Sequence, residues 1–254
     1  MNRKLGSGTV ELALAHIVRA DCVADTWRMF CTALEGLGLD LILYGSSRLP
    51  LTRAERLEDT LVLMNGPDDY AETFLNEEFY LQSAAFEWGG RQERGFVTWT
   101  EALRQLGSHP SPKASKINAL NASYGVQDGL IGSLNHIIPG RSGVIAVTSS
   151  KGMDAAKTER VWTQAGDAIQ ILSETMHLRI ASLPQIGLFP PLTSRQLEVL
   201  YWYSEGKLVQ DVATIMGISS GTVEKHMRMA REALDAETTA HAVRKATSFN
   251  LLTD

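Results

Sequence analysis

The sequence has few cysteines and no long apolar run, and both shortages exclude whole classes of protein. Its 254 residues include two cysteines, Cys22 and Cys31, which are too few for a disulfide framework. Their spacing favours two buried thiols on N-terminal helices over a disulfide. No apolar run approaches the roughly 20 residues that cross a bilayer, and the first residues lack the apolar core and cleavage site of a secretion signal. We therefore expect a cytoplasmic protein without a membrane segment.

The sequence also lacks the motifs of common enzymes. It contains no nucleophile motif, no metal-ligand spacing and no glycine loop that follows a strand. No catalytic residue, metal or cofactor is therefore predicted. An enzyme with a regulatory tail is kept as the alternative from a different functional class.

Positive charge is not in excess either. The formal net charge is -5 at pH 7, which argues against a generally basic nucleic-acid coat. Residues 190–254 hold seven Lys or Arg against eight Asp or Glu. If this segment binds DNA, its positive charge must be gathered on one face.

What the sequence does contain is typical of two globular domains. A hydrophobic content of 44% and a charged content of 21% are ordinary, and the length allows one large or two medium domains. Residues 183–191 contain three prolines and a glycine, which is typical of a linker. We predict a first domain over residues 1–181, a linker over 182–191 and a second domain over 192–254.

Strands interleave with helices in the first domain. The patterns predict helices at 9–20, 23–35, 69–78 and 111–124 and a long helix at 154–180, broken or bent near Gly166. They predict strands at 39–44, 61–64, 96–99, 130–138 and 143–149, the last two joined by a turn at Pro139-Gly140. The expected fold class is α+β, with an N-terminal α/β/α sandwich around an antiparallel sheet.

Two helices joined by a tight turn occupy residues 209–234. The first puts Val212, Ile215 and Met216 on one face, and Gly217 ends it because glycine adopts the left-handed cap without penalty. Ser219 or Ser220 caps the second helix. Its apolar stripe is Val223, Met227, Ala230 and Leu234, and its basic residues, Lys225, Arg228 and Arg231, fall on other faces.

Two further helices complete a small all-α second domain. A helix that ends near Ser204 is capped by Thr193 or Ser194, and a final short helix covers 240–249. A four-helix domain with this central pair has the layout of a helix-turn-helix, whose second helix enters the DNA major groove. An ordinary amphipathic helical hairpin is the alternative for residues 209–234 alone.

A longer sequence pattern favours the helix-turn-helix over the ordinary helical hairpin. The segments LTSRQLEVLYWYSEGK, VQDVATIMGISSGTVEKHM and TTAHAVRKA resemble the C-terminal domain of LuxR-type transcription regulators over residues 192–252. Residues that match the family's opening motif are Leu192, Thr193, Arg195, Glu198, Leu200 and Gly206. Gln196 replaces the usual first Glu of that motif, although its amide can still form a hydrogen bond.

The resemblance implies a sequence-specific DNA-binding regulator that acts as a homodimer on a palindromic site. It implies that four residues approach bases or phosphates: Thr222, Lys225, His226 and Arg228. Arg231 would lie nearer the DNA backbone. The resemblance places Lys207 and Ser220 at phosphates. The long helix at 154–180 and the last helix are the expected dimer surfaces.

The first domain resembles the autoinducer-binding domain of the quorum-sensing branch, which holds an acyl-homoserine lactone between a sheet and helices. The matching motifs are Pro67-Asp68-x-Tyr70-x3-Phe74, Phe96-x2-Trp99 and Tyr124-Gly125-Val126-x2-Gly129. The resemblance implies a ligand pocket. Its candidate residues are Tyr70, Phe74, Ser83, Trp99, Trp88, Tyr44 and Ala146.

Several of these positions depart from the family's pattern. The family commonly has Trp where this chain has Tyr70, Tyr where it has Phe74, an Asp-Pro pair at Ser83-Ala84 and a polar residue at Ala146. The family's Asp accepts the amide N–H of the lactone ligand. Because each unpaired buried polar atom costs about 1–3 kcal/mol, we expect this protein not to respond to acyl-homoserine lactone in the usual way.

Three interpretations of the pocket stay open at this point. It binds a less polar ligand, its own side chains fill it, or the correspondence with the family is displaced across residues 61–90. For any one of its aromatic residues, core packing alone is a sufficient role. A further alternative is a decoy that pairs with a lactone-responsive relative and inhibits it. The predicted partners are double-stranded DNA, a second copy of the chain, a small apolar or lactone-like ligand, or a related regulator.

Overall fold

Five antiparallel strands form one sheet in the first part of the chain. The computed structural model describes residues 7–48, 60–107, 113–185 and 190–252. The strands are β1 (Leu41–Ser47), β2 (Thr60–Asn65), β3 (Gly95–Thr98), β4 (Leu130–Ser133) and β5 (Ser142–Thr148). Their order across the sheet is β2-β1-β5-β4-β3, and each neighbouring pair is antiparallel. The predicted antiparallel sheet is confirmed.

Helices cover both faces of this sheet. They are α1 (Ser7–Arg19), α2 (Val23–Glu35), α3 (Asp68–Asn76), α4 (Ala84–Arg91), α5 (Trp99–Leu106), α6 (Ala114–Ser123) and α7 (Ala155–Ser182), with a 3-10 turn at Phe79–Gln82. On one face, Tyr44 of β1 contacts Trp27 of α2 and His177 of α7. On the other face, Leu43 shares a core with residues of α3 to α6. The α/β/α sandwich is confirmed.

Strand β1 shows why both faces need covering. All seven of its residues are buried. Side chains alternate along a strand, so Leu41 and Leu43 point to the face covered by α3 to α6, and Tyr44 points to α7. At Gly45 the ring of Phe86 occupies the place of a side chain, because an added Cβ would lie 2.3 Å from that ring.

Three local predictions in the first domain are wrong. Trp99 begins α5 rather than ending a strand, because Thr98 Oγ1 accepts the backbone N–H of Glu101 at 3.1 Å and caps the helix. The strand predicted to reach residue 138 ends at Ser133. Helix α7 continues unbroken through Gly166.

Other differences concern helices and a thiol. Helix α4 was not predicted at all, because residues 84–91 contain two glycines that weaken the helical pattern. The helix expected from residue 111 begins at Ala114, and residues 111 and 112 lie outside the described residues. Both cysteines are free thiols; Cys31 is buried, but Cys22 is exposed and caps α2.

Four helices form the second part of the chain: α8 (Ser194–Ser204), α9 (Val209–Met216), α10 (Ser220–Ala233) and α11 (Thr239–Ser248). They share one core, which includes Val199, Leu200, Val212, Met216, Val223, Met227, Ala230, Leu234, Ala242 and Ala246. The predicted four-helix domain is confirmed. Ile215 was placed in this core but is 46% exposed, and Ala213 is buried instead.

The chain separates into two compact units between Ile180 and Ala181. Part of the predicted linker belongs to the second unit, since Gln185 donates its backbone N–H to the carbonyl of Phe249 at 3.0 Å. Leu183 and Gln185 are also buried. Residues 186–189 of that linker lie outside the described residues.

Candidate nucleic-acid interface and ligand cavity

The turn between α9 and α10 has the geometry that its residues predict. Gly217 ends α9 with a φ of 66°, in the left-handed region that glycine adopts readily. Ser219, rather than Ser220, caps α10: its Oγ accepts the backbone N–H of Thr222 at 3.2 Å. Ile218 donates its backbone N–H to the carbonyl of Ala213 at 3.0 Å, which closes the end of α9. These local bonds set the direction in which α10 leaves the turn.

Helix α10 separates an apolar face from a basic one. At about 100° per residue, the buried stripe Val223, Met227, Ala230 and Leu234 is diametrically opposed by Lys225. Lys225 and Arg228 are exposed, whereas Ser220, Thr222, His226 and Arg231 are half-buried beside them. Lys207 is exposed in the loop before α9. Lys225 and Arg228 therefore lie on the outer face of α10, and Thr222, His226 and Arg231 lie at its sides. Ser220 lies nearer the buried stripe in the first turn, and Lys207 lies outside the helix.

Arg228 on this face forms an exposed ion pair in which another partner can replace the carboxylate. Arg228 Nη1 lies 2.9 Å from Glu232 Oε1, and the two side chains are 57% and 63% exposed. A pair this exposed contributes little to stability, so a phosphate or a base edge can replace Glu232 as the partner of Arg228. Met229 also lies on the exposed face of α10, although it is not among the predicted DNA-binding residues. It follows Lys225 by four residues, a spacing that places both side chains on the same face of a helix.

The first unit contains a cavity of about 430 Å³ between the sheet and helices α3 to α6. Its volume lies within the roughly 300–1,000 Å³ of small-molecule sites. Five of the seven predicted ligand residues line it: Tyr70, Phe74, Ser83, Trp99 and Ala146. The remaining lining is mostly aliphatic, including Leu41, Leu43, Met64, Leu106, Ile117 and Ile131. The cavity can therefore accept a mainly apolar small molecule.

Tyr70 and Phe74 form an aromatic wall of this cavity. Their rings stack with centroids 5.7 Å apart, and Tyr124 meets Tyr70 edge-on at 5.2 Å. The Tyr70 hydroxyl donates to Asn121 Oδ1 at 2.6 Å. Burial, together with the nearby Tyr124, raises the pKa of Tyr70 above its ordinary value, so the hydroxyl keeps its proton.

The Ser83 hydroxyl already forms hydrogen bonds with nearby backbone groups. Its Oγ donates to the carbonyl of Tyr80 at 2.8 Å and accepts the backbone N–H of Phe86 at 3.4 Å. The second bond caps α4. Ser83 therefore lines the cavity mainly as a capping residue rather than as a free polar group.

Trp99 lies at the wall of the cavity beside Gly129, the residue before β4. A Cβ at Gly129 would lie 2.9 Å from Trp99 Cε2, so glycine is required for this close packing. The indole Nε1 is buried and has no hydrogen-bond partner among the described residues. Almost no surface is accessible at that atom, so it cannot meet a ligand in the cavity without movement.

Two predicted ligand residues do not line the cavity. Tyr44 points to the opposite face of the sheet, where its hydroxyl forms a 2.8 Å hydrogen bond with His177 Nδ1. Burial raises the pKa of Tyr44 to about 12, so the hydroxyl stays protonated. Trp88 is buried, and its Nε1 donates to Gln105 Oε1 at 2.7 Å, which joins α4 to α5. Both residues therefore serve the framework around the cavity.

The sequence prediction also missed polar lining residues. Gln82, Glu87, Asn118 and Asn121 contribute to the cavity surface. Glu87 follows Ser83 by one helical turn, a spacing that would have indicated the same face if α4 had been recognised. Leu41 and Leu43 were likewise available from strand alternation.

Two family models match separate parts of this chain. The autoinducer binding domain matches residues 23–180, and the bacterial regulatory proteins of the luxR family match residues 190–246. This chain belongs to the LuxR-type quorum-sensing transcription regulators. The LuxR-type match covers α8 to α10 and most of α11, so the second unit is a DNA-binding helix-turn-helix unit.

Individual LuxR-type relatives resemble the chain over most of its length. The quorum sensing-dependent transcriptional regulator RpaR of Rhodopseudomonas palustris is 27% identical over 76% of this chain and 75% of its own. The transcriptional activator EsaR of Pantoea stewartii is 23% identical over 76% and 80%. The transcriptional activator AnoR of Acinetobacter nosocomialis is 24% identical over 85% and 87%.

Solved LuxR-type structures share the fold. Escherichia coli SdiA superposes with a TM-score of 0.50 at 16% identity, over 97% of this chain and 99% of SdiA. A structure of SdiA in complex with octanoyl-rac-glycerol gives 0.51 at 15% identity, over 100% and 99%. At these identities the likeness concerns the fold. Among the described residues, none of the helices combines the length and apolarity needed to cross a bilayer.

Proposed function

We propose that this LuxR-type regulator binds a two-fold symmetric DNA site as a homodimer and responds to a ligand other than an ordinary acyl-homoserine lactone. Residues 1–181 would sense the ligand and residues 192–254 would bind DNA, in the cytoplasm. The observation that carries the DNA-binding part is the outer face of α10, which presents Lys225 and Arg228 opposite a fully buried stripe.

The geometry of α10 supports reading of bases by the exposed side chains. Lys225 and Arg228 lie one turn apart, so both can enter the same groove. Arginine recognises guanine through paired hydrogen bonds, and Met229 offers an apolar contact for a thymine methyl group. His226 and Arg231 flank this face, where the DNA backbone would lie.

Dimer formation is supported by an apolar line on α7. Ile171 and Leu178 are 43% and 50% exposed and lie seven residues apart, which places them on the same face two turns apart. A second copy would cover these side chains. Dimers of this kind place recognition helices about 34 Å apart, one turn of DNA.

An altered ligand is supported by the contacts of the cavity. Ser83, which stands where the family has an acidic acceptor, uses its hydroxyl to bind Tyr80 and to cap α4. Phe74 has no hydroxyl, and Ala146 has no polar group. A lactone with an amide would therefore lose the partners that the family offers at these three positions, at about 1–3 kcal/mol for each polar atom left unpaired.

The DNA-binding part is tested by selecting preferred duplexes from a random pool with the full-length protein. We expect sites with two-fold symmetry, and we expect Arg228→Ala to weaken binding to them by about 1–3 kcal/mol in a gel-shift titration. Arg104→Ala is the matched control, because Arg104 is an exposed arginine in an ion pair of the first unit. Unchanged binding by the Arg228 variant would remove it from the reading set. Recovery of sites without symmetry would contradict the dimer.

The ligand part is tested by purifying the protein from cells grown with and without acyl-homoserine lactone. We expect a soluble protein in both cases, with no stoichiometric lactone in mass spectra of the extracted protein. A stoichiometric lactone would refute the altered ligand. If the protein bound selected DNA only after mixing with a lactone-responsive relative, a heterodimeric decoy would replace the homodimer.

A further inference from the structure

The floor of the cavity has no hydroxyl proton left for a ligand. Tyr70 donates its hydroxyl to Asn121, Ser83 to the carbonyl of Tyr80, and Thr148 to the carbonyl of Asp128 at 2.7 Å. Apart from the side-chain amide of Asn121, a carbonyl oxygen placed among them would find no free donor in these side chains. Because an unpaired buried acceptor is costly, the part of a ligand that lies on this floor should be apolar.

The rim of the cavity carries polar side chains as well as apolar ones. Leu103, Gly107 and Asn118 are exposed lining residues, so the cavity opens near them, and Gln82 and Glu87 are half-buried. Of the described residues that line the cavity, Glu87 alone carries a carboxylate. A polar head group would therefore lie at this rim while an apolar body fills the interior.

Glu87 is available to a ligand because its present partner is exchangeable. Glu87 Oε1 accepts from Arg91 Nη2 at 2.7 Å, and the two side chains are 43% and 54% exposed. A carboxylate has about four acceptor positions, so one bond to arginine leaves room for a ligand N–H. Arg91 itself does not line the cavity.

We infer that the cavity binds an amphipathic molecule with its apolar body inward and a nitrogen head group at the rim, where the Glu87 carboxylate accepts an N–H from a protonated amine. This inference deepens the altered-ligand part of the proposed function and rests on it. It assigns Glu87, rather than Ser83, as the acceptor that selects the head group.

The test uses three probes with the same apolar chain and different heads: decylamine, decanol and decanoic acid. Their binding to the full-length protein is measured by calorimetry below their aggregation concentrations. We expect decylamine to bind about tenfold tighter than decanol, and decanoic acid to bind weakest, because a charge-assisted bond is stronger than a neutral one. Glu87→Gln should remove the preference for the amine, and Arg91→Gln should increase it.

A matched control and two contrary outcomes complete the test. Glu101→Gln should leave the preference unchanged, because Glu101 pairs with Arg104 outside the cavity lining. If decanol binds but the amine preference is absent or survives Glu87→Gln, the role of Glu87 is refuted while an apolar ligand is still supported. If none of the probes binds, the altered ligand and the role of Glu87 are both refuted, while the proposal of DNA binding by α10 stands.

Discussion

Filling the cavity from the sheet should stabilise this protein, whereas filling an ordinary core position should not. Ala146 lies in β5 between Leu43 and Ile131 and points into the cavity. Ala146→Leu adds three carbon atoms to this space. At about 0.8 kcal/mol for each buried CH2 group, the free energy of unfolding should rise by about 2 kcal/mol at most. A cavity of about 430 Å³ has room for these atoms without displacing the wall.

The matched control is Ala102→Leu. Ala102 of α5 is fully buried and does not line the cavity. The same three carbon atoms must then displace packed neighbours, which costs about 1–3 kcal/mol. The two variants should therefore change stability in opposite directions, although the chemical change is identical.

The assay is urea unfolding of the full-length protein without added ligand, followed by tryptophan fluorescence. Four of the five tryptophans lie in the first unit, so the signal mainly reports that unit. Decanol binding to the Ala146 variant should fall in the same measurement series. If Ala146→Leu destabilised the protein as much as Ala102→Leu, the cavity would not be fillable space and the argument for a ligand there would fail.

Three further predictions concern local features. Gly217→Ala should lower the stability of the second unit by about 1 kcal/mol in thermal unfolding, because the residue has a φ of 66°, whereas Gly221→Ala, in the first turn of α10 with open space around it, should be neutral or stabilising. Ser219→Ala should cost about 1 kcal/mol by loss of the cap, and Ser220→Ala should cost less in the same assay. Burial, with Arg141 and His136 nearby, lowers the pKa of His177 to about 3 from its ordinary value of 6.5. As the pH falls, His177 is therefore protonated in the unfolded chain at a higher pH than in the folded chain. The free energy of unfolding should fall by up to about 1.4 kcal/mol per pH unit from pH 6.5 toward 3. His177→Gln should reduce that slope in urea unfolding, and an unchanged slope would contradict the buried neutral imidazole.

The helix-turn-helix was predictable because short-range interactions determine it. The stripe of α10 depends on side chains three and four residues apart, and the turn depends on a glycine and a serine cap within it. All four predicted members of that stripe are buried. The side-chain amide of Gln196 also forms a hydrogen bond, since its Oε1 accepts the backbone N–H of Thr193 at 2.7 Å. Ile215 was misplaced because two adjacent faces of a short helix are hard to separate by periodicity alone.

The cavity was predictable only in part. Five of the seven candidate ligand residues that the family resemblance indicated line the cavity, and the other two, Tyr44 and Trp88, pack away from it. Strand alternation could have separated Tyr44 from Leu43. The segment Thr98-Trp99-Thr100-Glu101 has the spacing of a capping box and could have indicated the start of α5. Nothing local in the sequence indicated that α4 would bring Glu87 to the rim.

The sequence by itself therefore determined the elements whose bonds join near neighbours along the chain: the caps, the turn at Gly217, and the buried and basic faces of α10. The tertiary structure alone decided where space is left between the sheet and its helices, and which polar groups are already bonded around that space. A cavity is defined by surfaces from distant segments that do not meet, and the register between those segments follows from packing rather than from the pattern within any one of them.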